Sequence, residues 1–229
     1  MHSACVICGG PNISPAVIDT IIDSDLIICA DSGADFAIKN NIRIDRLVGD
    51  MDSISSESLE IIRSRNIPVE TVPARKDFTD TEMALRLIPS DVPTILVCSL
   101  TGRIDHVMTN VLLGMKLHEE GREIILTDGN SDICFLVNKD ELELSFLVGS
   151  AKNIVISLVP LTEKVCGVTT RNLEYELDDA ILSFGATLST SNEIANELIA
   201  NMNANEDDII EVMVSTKEGK LLVVVTNRI

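Results

Sequence analysis

Four short stretches of this chain place acidic, hydroxyl and glycine residues where they can handle cations and phosphates. Asp50 and Asp52 form an i, i+2 pair within Gly49-Asp50-Met51-Asp52-Ser53. In an extended loop the two carboxylates share a face and can grip one cation. Asp31 opens Asp31-Ser32-Gly33, and Asp80 closes Lys76-Asp77-Phe78-Thr79-Asp80. Carboxylates gathered together repel one another unless a proton or a cation sits among them. Hard divalent cations take oxygen ligands, and magnesium is held by one or two carboxylates together with phosphate oxygens. The competing role for each aspartate is to cap the helix that follows it. Thr79 and Glu82 have the spacing of a capping box, which orients Asp80 in a first helical turn. Asp77, three residues before Asp80, can face the same space.

The fourth stretch is Gly102-Arg103-Ile104-Asp105-His106. Glycine permits close backbone approach, and a helix N-terminus favours anions. Arg103 offers a planar fork to phosphate oxygens; the alternative is a surface arginine paired with Asp105. His106 and Asn110 share a helix face at i, i+4, where a packed or hydrogen-bonded histidine is expected rather than a catalytic one. Neither GxxxxGK[ST] nor GxGxxG occurs, so the two common nucleotide fingerprints do not apply.

Each stretch follows an apolar run, and those runs are the elements that must position it. Strands are expected at 4–8, 26–30, 46–49, 67–72, 94–99 and 123–127, with helices at 15–22, 34–40, 56–64, 81–88 and 104–119 between them. This alternation predicts an α/β domain over residues 1–138, an open and mostly parallel sheet with flanking helices. Ligands of such sheets bind at the carboxyl ends of the strands, which is where the four stretches fall. After residue 138 the helices thin out. Strands are expected at 141–147, 153–159, 164–169, 173–177, 209–215 and 221–226, forming a smaller antiparallel β-sandwich or barrel over residues 139–229.

Composition narrows the function classes. Hydrophobic residues make up 45% of the 229, enough for a sizeable core. Aromatics are only 3%, so that core is aliphatic. The formal net charge of −18 excludes a broad basic surface for nucleic acid. An anionic substrate must then be drawn by local cations, backbone amides and metal. Cys5 and Cys8 form a CxxC, but it lies within the first apolar strand and no second pair follows. The six cysteines are therefore read as reduced and buried, in a reducing compartment. No basic leader precedes the first strand, and no apolar run approaches the ~20 residues of a membrane helix. A cytoplasmic protein is expected.

The four stretches, in this order, resemble the motifs of thiamine pyrophosphokinases. Gly167-Val168-Thr169-Thr170, Leu173-Glu174-Tyr175-Glu176-Leu177, Ser183-Phe184-Gly185 and Ser191-Asn192-Glu193 continue the likeness through the second half. The resemblance implies an α/β catalytic domain followed by a β-sandwich. It implies a homodimer, with each active site shared between the catalytic domain of one subunit and the sandwich of the other. Asp31, Asp50, Asp52 and Asp80 would hold Mg2+ and, through it, the phosphates of ATP. Thr79, Gly102, Arg103 and Asp105 would bind the nucleotide, and Tyr175, Ser191 and Asn192 the thiamine. Catalysis would fall to Asp50, Asp52, Asp77 and Asp80, with Asp77 or Asp80 taking the hydroxyl proton. The implied reaction moves a diphosphate from ATP to thiamine and releases AMP. Two rival readings are the same chemistry on another alcohol, such as a hydroxymethylpterin, and a non-catalytic nucleotide- or thiamine-binding protein. The chain departs from the family pattern at Ser32 and Asn172, where glycine is common. Residues 196–208 read as an insertion before the last strands.

Overall fold

A computed structural model describes residues 2–72, 77–201 and 206–228. Internal packing divides the chain into Met1–Asn130 and Ser131–Ile229. In the first unit the strands are β1 (Ala4–Cys8), β2 (Leu26–Ala30), β3 (Arg46–Gly49), β4 (Val69–Thr71), β5 (Thr94–Val97) and β6 (Ile124–Thr127). They lie in the order β6-β5-β1-β2-β3-β4, and every pairing is parallel. All five residues of β1 are buried, as expected of a strand covered on both faces, which reads as a continuous apolar run.

The helices of this unit are α1 (Ile18–Ile21), α2 (Gly33–Lys39), α3 (Ser56–Ser64), α4 (Asp80–Arg86) and α5 (Ile104–Glu119). The N-terminus of α3 is set by Ser55, whose hydroxyl accepts the Ser58 N–H at 3.1 Å. That of α4 is set by Thr79, which accepts the Glu82 N–H at 3.2 Å. Each satisfies one of the N–H groups a helix start leaves open. Ile21, Ile27, Leu47 and Ile62 are almost wholly buried in this unit's core.

The second unit holds β7 (Ser131–Val137), β8 (Glu141–Leu147), β9 (Ile154–Pro160), β10 (Lys164–Arg171), β11 (Ala180–Ser183), β12 (Asn192–Glu193), β13 (Ile209–Ser215) and β14 (Lys220–Asn227), with short helices α6 (Val148–Ala151) and α7 (Asn196–Asn201). Four strands pair in the order β12-β9-β14-β7 and four as β11-β10-β13-β8, all antiparallel. Burial alternates along β9 and β13, the signature of strands with one face inward. Ile156 and Val223 from one sheet share a core with Val212 and Val214 from the other, so the two sheets pack as a sandwich.

The α/β half and the antiparallel half both follow the expected architecture. Three strands escaped the pattern: β7, β11 and β12. The expected strand 173–177 does not form; only Leu173 makes an isolated bridge, to Ile194. Asn172 takes a left-handed φ of +69° and breaks the extended run. The buried Asn192 side chain then supplies what a ladder partner would have given, accepting the Tyr175 N–H at 3.1 Å and donating to the Tyr175 carbonyl at 2.8 Å. Within 196–208, residues 196–201 are the helix α7, and 202–205 lie outside the described residues. Five cysteines are buried and Cys166 is half-buried, all with free thiols. Among the described residues no helix is long and apolar enough to cross a membrane.

Candidate active site

The acidic cluster is built by two strand ends. Asp31 follows β2 with a left-handed φ of +42°, its N–H donating to the Val48 carbonyl at 2.9 Å. The turn can enter α2 because position 33 is glycine; a Cβ there would lie 2.0 Å from the Ile7 carbonyl oxygen. Gly49 ends β3 at φ +150°, and a Cβ on it would come within 1.9 Å of the Asp31 Oδ1. The bare strand end leaves room for that carboxylate. Asp31 Oδ1 also accepts the Met51 N–H at 3.1 Å, and Asp50 Oδ1 accepts the Asp52 N–H at 3.2 Å. The loop after β3 is pinned further along, where Asp35 accepts the Ser55 hydroxyl at 2.6 Å.

As a result Asp31, Asp50 and Asp52 each bring one carboxylate oxygen within 4.8 Å of the others. Burial pushes the Asp31 carboxyl up to about 6, helped by the charges of Asp80 and Asp50 and by a hydrogen bond with Asp80; the Met51 N–H opposes the shift. Two carboxylates can share such a bond only with a proton between them. The cluster is thus short of positive charge, and a hard divalent cation is the species its oxygen donors suit.

Asp80 opens α4, beside the Thr79 cap. The neighbouring Thr81 hydroxyl lies 3.2 Å from the Cys8 Sγ, tying α4 to the end of β1. Glu82 pairs with Arg86 at 2.7 Å. Asp77 is exposed, and Lys76 lies outside the described residues.

Beyond β5, Ser99 acts as a latch. Its hydroxyl donates to the Pro11 carbonyl at 2.5 Å and accepts the Thr101 N–H at 3.2 Å. The amide of Asn12 reaches the Thr101 hydroxyl at 3.2 Å. The loops after β1 and β5 are thereby joined. Gly102 follows at φ +84°. Arg103 precedes α5 and places two N–H groups on Asp105, at 3.2 and 2.6 Å. This exposed pair holds the Asp105 carboxyl below its ordinary range. Asp105 takes the Nε–Nη2 edge of the Arg103 fork, which leaves the Nη1–Nη2 edge to meet a phosphate. His106, expected to be packed or hydrogen-bonded, is exposed and borders the cleft.

These loops enclose a cleft of about 620 Å3. Asp31, Asp50, Thr79, Asp80, Arg103 and Asp105 line it; Asp52, Asp77 and Gly102 do not. Cys8, Phe78, Ser99 and His106 line it as well. Phe78 and Ser99 carried no sequence signal of their own: the first lay between two assigned residues, and the second shows its role only through contacts with a loop 88 positions away.

The remaining expected residues belong to the second unit. Tyr175 is 76% exposed. Ser191 has φ +61°, and its N–H donates to the Ser157 hydroxyl at 2.9 Å. Asn192 spends its amide on the backbone of Tyr175 and on the Glu193 N–H at 2.9 Å.

Comparison with known proteins follows the two halves. The model described as "Thiamin pyrophosphokinase, catalytic domain" matches residues 18–126. The model described as "Thiamin pyrophosphokinase, vitamin B1 binding domain" matches residues 143–221. The thiamine pyrophosphokinase of Bacillus subtilis is 27% identical over 203 residues, covering 85% of this chain and 90% of that protein. Thiamine pyrophosphokinase 3 of rice is 23% identical over 223 residues, 87% of this chain and 81% of that one. The crystal structure of the Bacillus subtilis enzyme superposes with a TM-score of 0.78 at 22% identity, covering 99% of this chain and 100% of its own. The yeast structure gives 0.72 at 15% identity, covering 98% of this chain and 86% of its own. Both crystal structures share the fold. With consecutive matches to both domains and relatives aligned over most of their length, the chain belongs to the thiamine pyrophosphokinase family.

Proposed function

We propose that this enzyme transfers a diphosphate from ATP to the hydroxyl of thiamine, yielding thiamine diphosphate and AMP, with magnesium as the metal. The observation that carries the reaction class is the acidic cluster: three carboxylates converge at the ends of neighbouring parallel strands, with a fourth hydrogen-bonded to one of them. The acceptor rests on the match of both halves to thiamine pyrophosphokinase domains.

Asp31, Asp50 and Asp52, with Asp80 beside them, would hold the magnesium. When bound, the ion supplies positive charge that offsets the charge on the phosphates. The protein's own work is mainly positioning, as in other phosphoryl transfers. Arg103, oriented by Asp105, grips phosphate oxygens with its remaining N–H groups, while Thr79 and the backbone at Gly102 border the nucleotide. The hydroxyl oxygen of thiamine forms a bond to the β-phosphorus as the bond from that phosphorus to the AMP oxygen breaks. The hydroxyl proton goes to Asp77 or Asp80, of which Asp80 lines the cleft. The acidic surface suits a cationic acceptor. Tyr175, Ser191 and Asn192 remain the residues proposed for thiamine, Asn192 by holding the Tyr175 backbone. A cytoplasmic homodimer with shared sites completes the reading, and light scattering reads its assembly.

The test is direct. Incubated with ATP, magnesium and thiamine, the protein should form AMP and thiamine diphosphate in equal amounts. Formation of neither product overturns the proposal. Turnover of a hydroxymethylpterin in preference to thiamine overturns the acceptor alone.

A further inference from the structure

The cleft carries an aromatic ring that the proposed chemistry does not use. Phe78 is half-buried and lines the cleft between the exposed Asp77 and the Thr79 cap. The chain has five phenylalanines, one tyrosine and no tryptophan, and among the described residues Phe78 is the one phenylalanine or tyrosine on the cleft wall. The Arg86 guanidinium lies over its ring, 4.7 Å from the centroid. Arg86 is itself fixed by Glu82 at 2.7 Å, one turn earlier on α4. One face of the ring is therefore covered by a braced cation.

We propose that Phe78 is a platform for the purine base of the bound nucleotide, with Arg86 as its brace; this rests on the nucleotide reading given above. A flat apolar ring beside a phosphate-binding cluster suits a planar heterocycle, since base-on-aromatic stacking works with any base. The substrates offer two such rings, the nucleobase and the rings of thiamine. Electrostatics selects between them. A cation on one face of a benzene ring draws on the negative quadrupole that would otherwise attract a second cation on the opposite face. The cationic thiamine is thus disfavoured there and the neutral purine is not. The volume of about 620 Å3 is within the usual range for small-ligand sites.

Phe78→Trp creates the chain's only tryptophan and a reporter needing no turnover. AMP and adenosine should quench its fluorescence saturably, whereas ribose 5-phosphate and thiamine should not. In steady-state assays Phe78→Ala should raise the KM for ATP about tenfold, with the KM for thiamine and kcat changed less than about twofold. Phe78→Tyr should restore the ATP KM, and Arg86→Ala should raise it by a smaller factor. An unchanged ATP KM in Phe78→Ala, or a rise in the thiamine KM instead, overturns the proposal. Should Phe78→Ala fail to fold, absence of quenching by AMP in Phe78→Trp overturns it equally. A wild-type protein that releases no AMP refutes the enzymatic reading without touching the fluorescence result, so the two failures are distinguishable.

Discussion

Asp31 stands at a left-handed backbone position, half-buried, between Asp80 and Asp50. Its carboxyl is raised from an ordinary value of 3.8 to about 6, first by burial and then by the Asp80 charge. A carboxylate raised in the folded state stabilises the fold fully below its unfolded pKa, and that contribution disappears as pH rises through the folded one. The metal-free protein should therefore lose stability between about pH 4 and pH 6 relative to Asp31→Asn, which lacks the titration. Thermal melts of both proteins across that window check this. Protons and the divalent ion compete for the same oxygens, so magnesium affinity measured by calorimetry should fall as pH drops through about 6. Asp50→Asn removes one charge from the cluster while keeping side-chain size. Turnover should fall at least about a hundredfold, the scale of a lost electrostatic contact at a reacting centre, with the melting temperature unchanged or raised by relief of repulsion.

At the scale of elements, the site depends on how closely two strand ends and a helix start can approach. Gly33→Ala would drive a Cβ against the Ile7 carbonyl at 2.0 Å. Backbone cannot yield as a flexible side chain does, so a loss of about 1–3 kcal/mol is expected in urea unfolding. In the second unit Asn192 substitutes for a missing strand partner by binding both backbone groups of Tyr175. Asn192→Ala should cost about 1–2 kcal/mol, because those groups and the Glu193 N–H lose their partner in a partly buried setting. The KM for thiamine should rise in the same variant if Tyr175 belongs to the acceptor site.

For the whole molecule, the charge of −18 sets a field felt by both substrates. It repels ATP and attracts thiamine, and salt screens both effects. Raising ionic strength from about 10 mM to about 150 mM shortens the screening length severalfold. The KM for ATP should fall over that range and the KM for thiamine should rise, as initial rates will record. Equal movement of both constants would show that local contacts dominate the field.

The sequence by itself determined the parallel sheet, because strands buried on both faces read as continuous apolar runs, as β1 and β2 do. It also determined the acidic edge, because residues following successive parallel strands fall at one end of a sheet. It missed β7, whose buried residues form one short unbroken apolar run with no alternation, and β11 and β12 because they are too short for a period to show. Only the tertiary structure decided which carboxylates meet: Asp31, Asp50 and Asp52 converge while Asp77 stays off the cleft. Distances of that kind depend on turn conformations at Asp31, Gly49 and Met51, fixed by contacts between the ends of β2 and β3. The Ser99 latch and the Arg86 brace behind Phe78 were likewise decided in three dimensions, since both are relations between side chains and not properties of either residue alone.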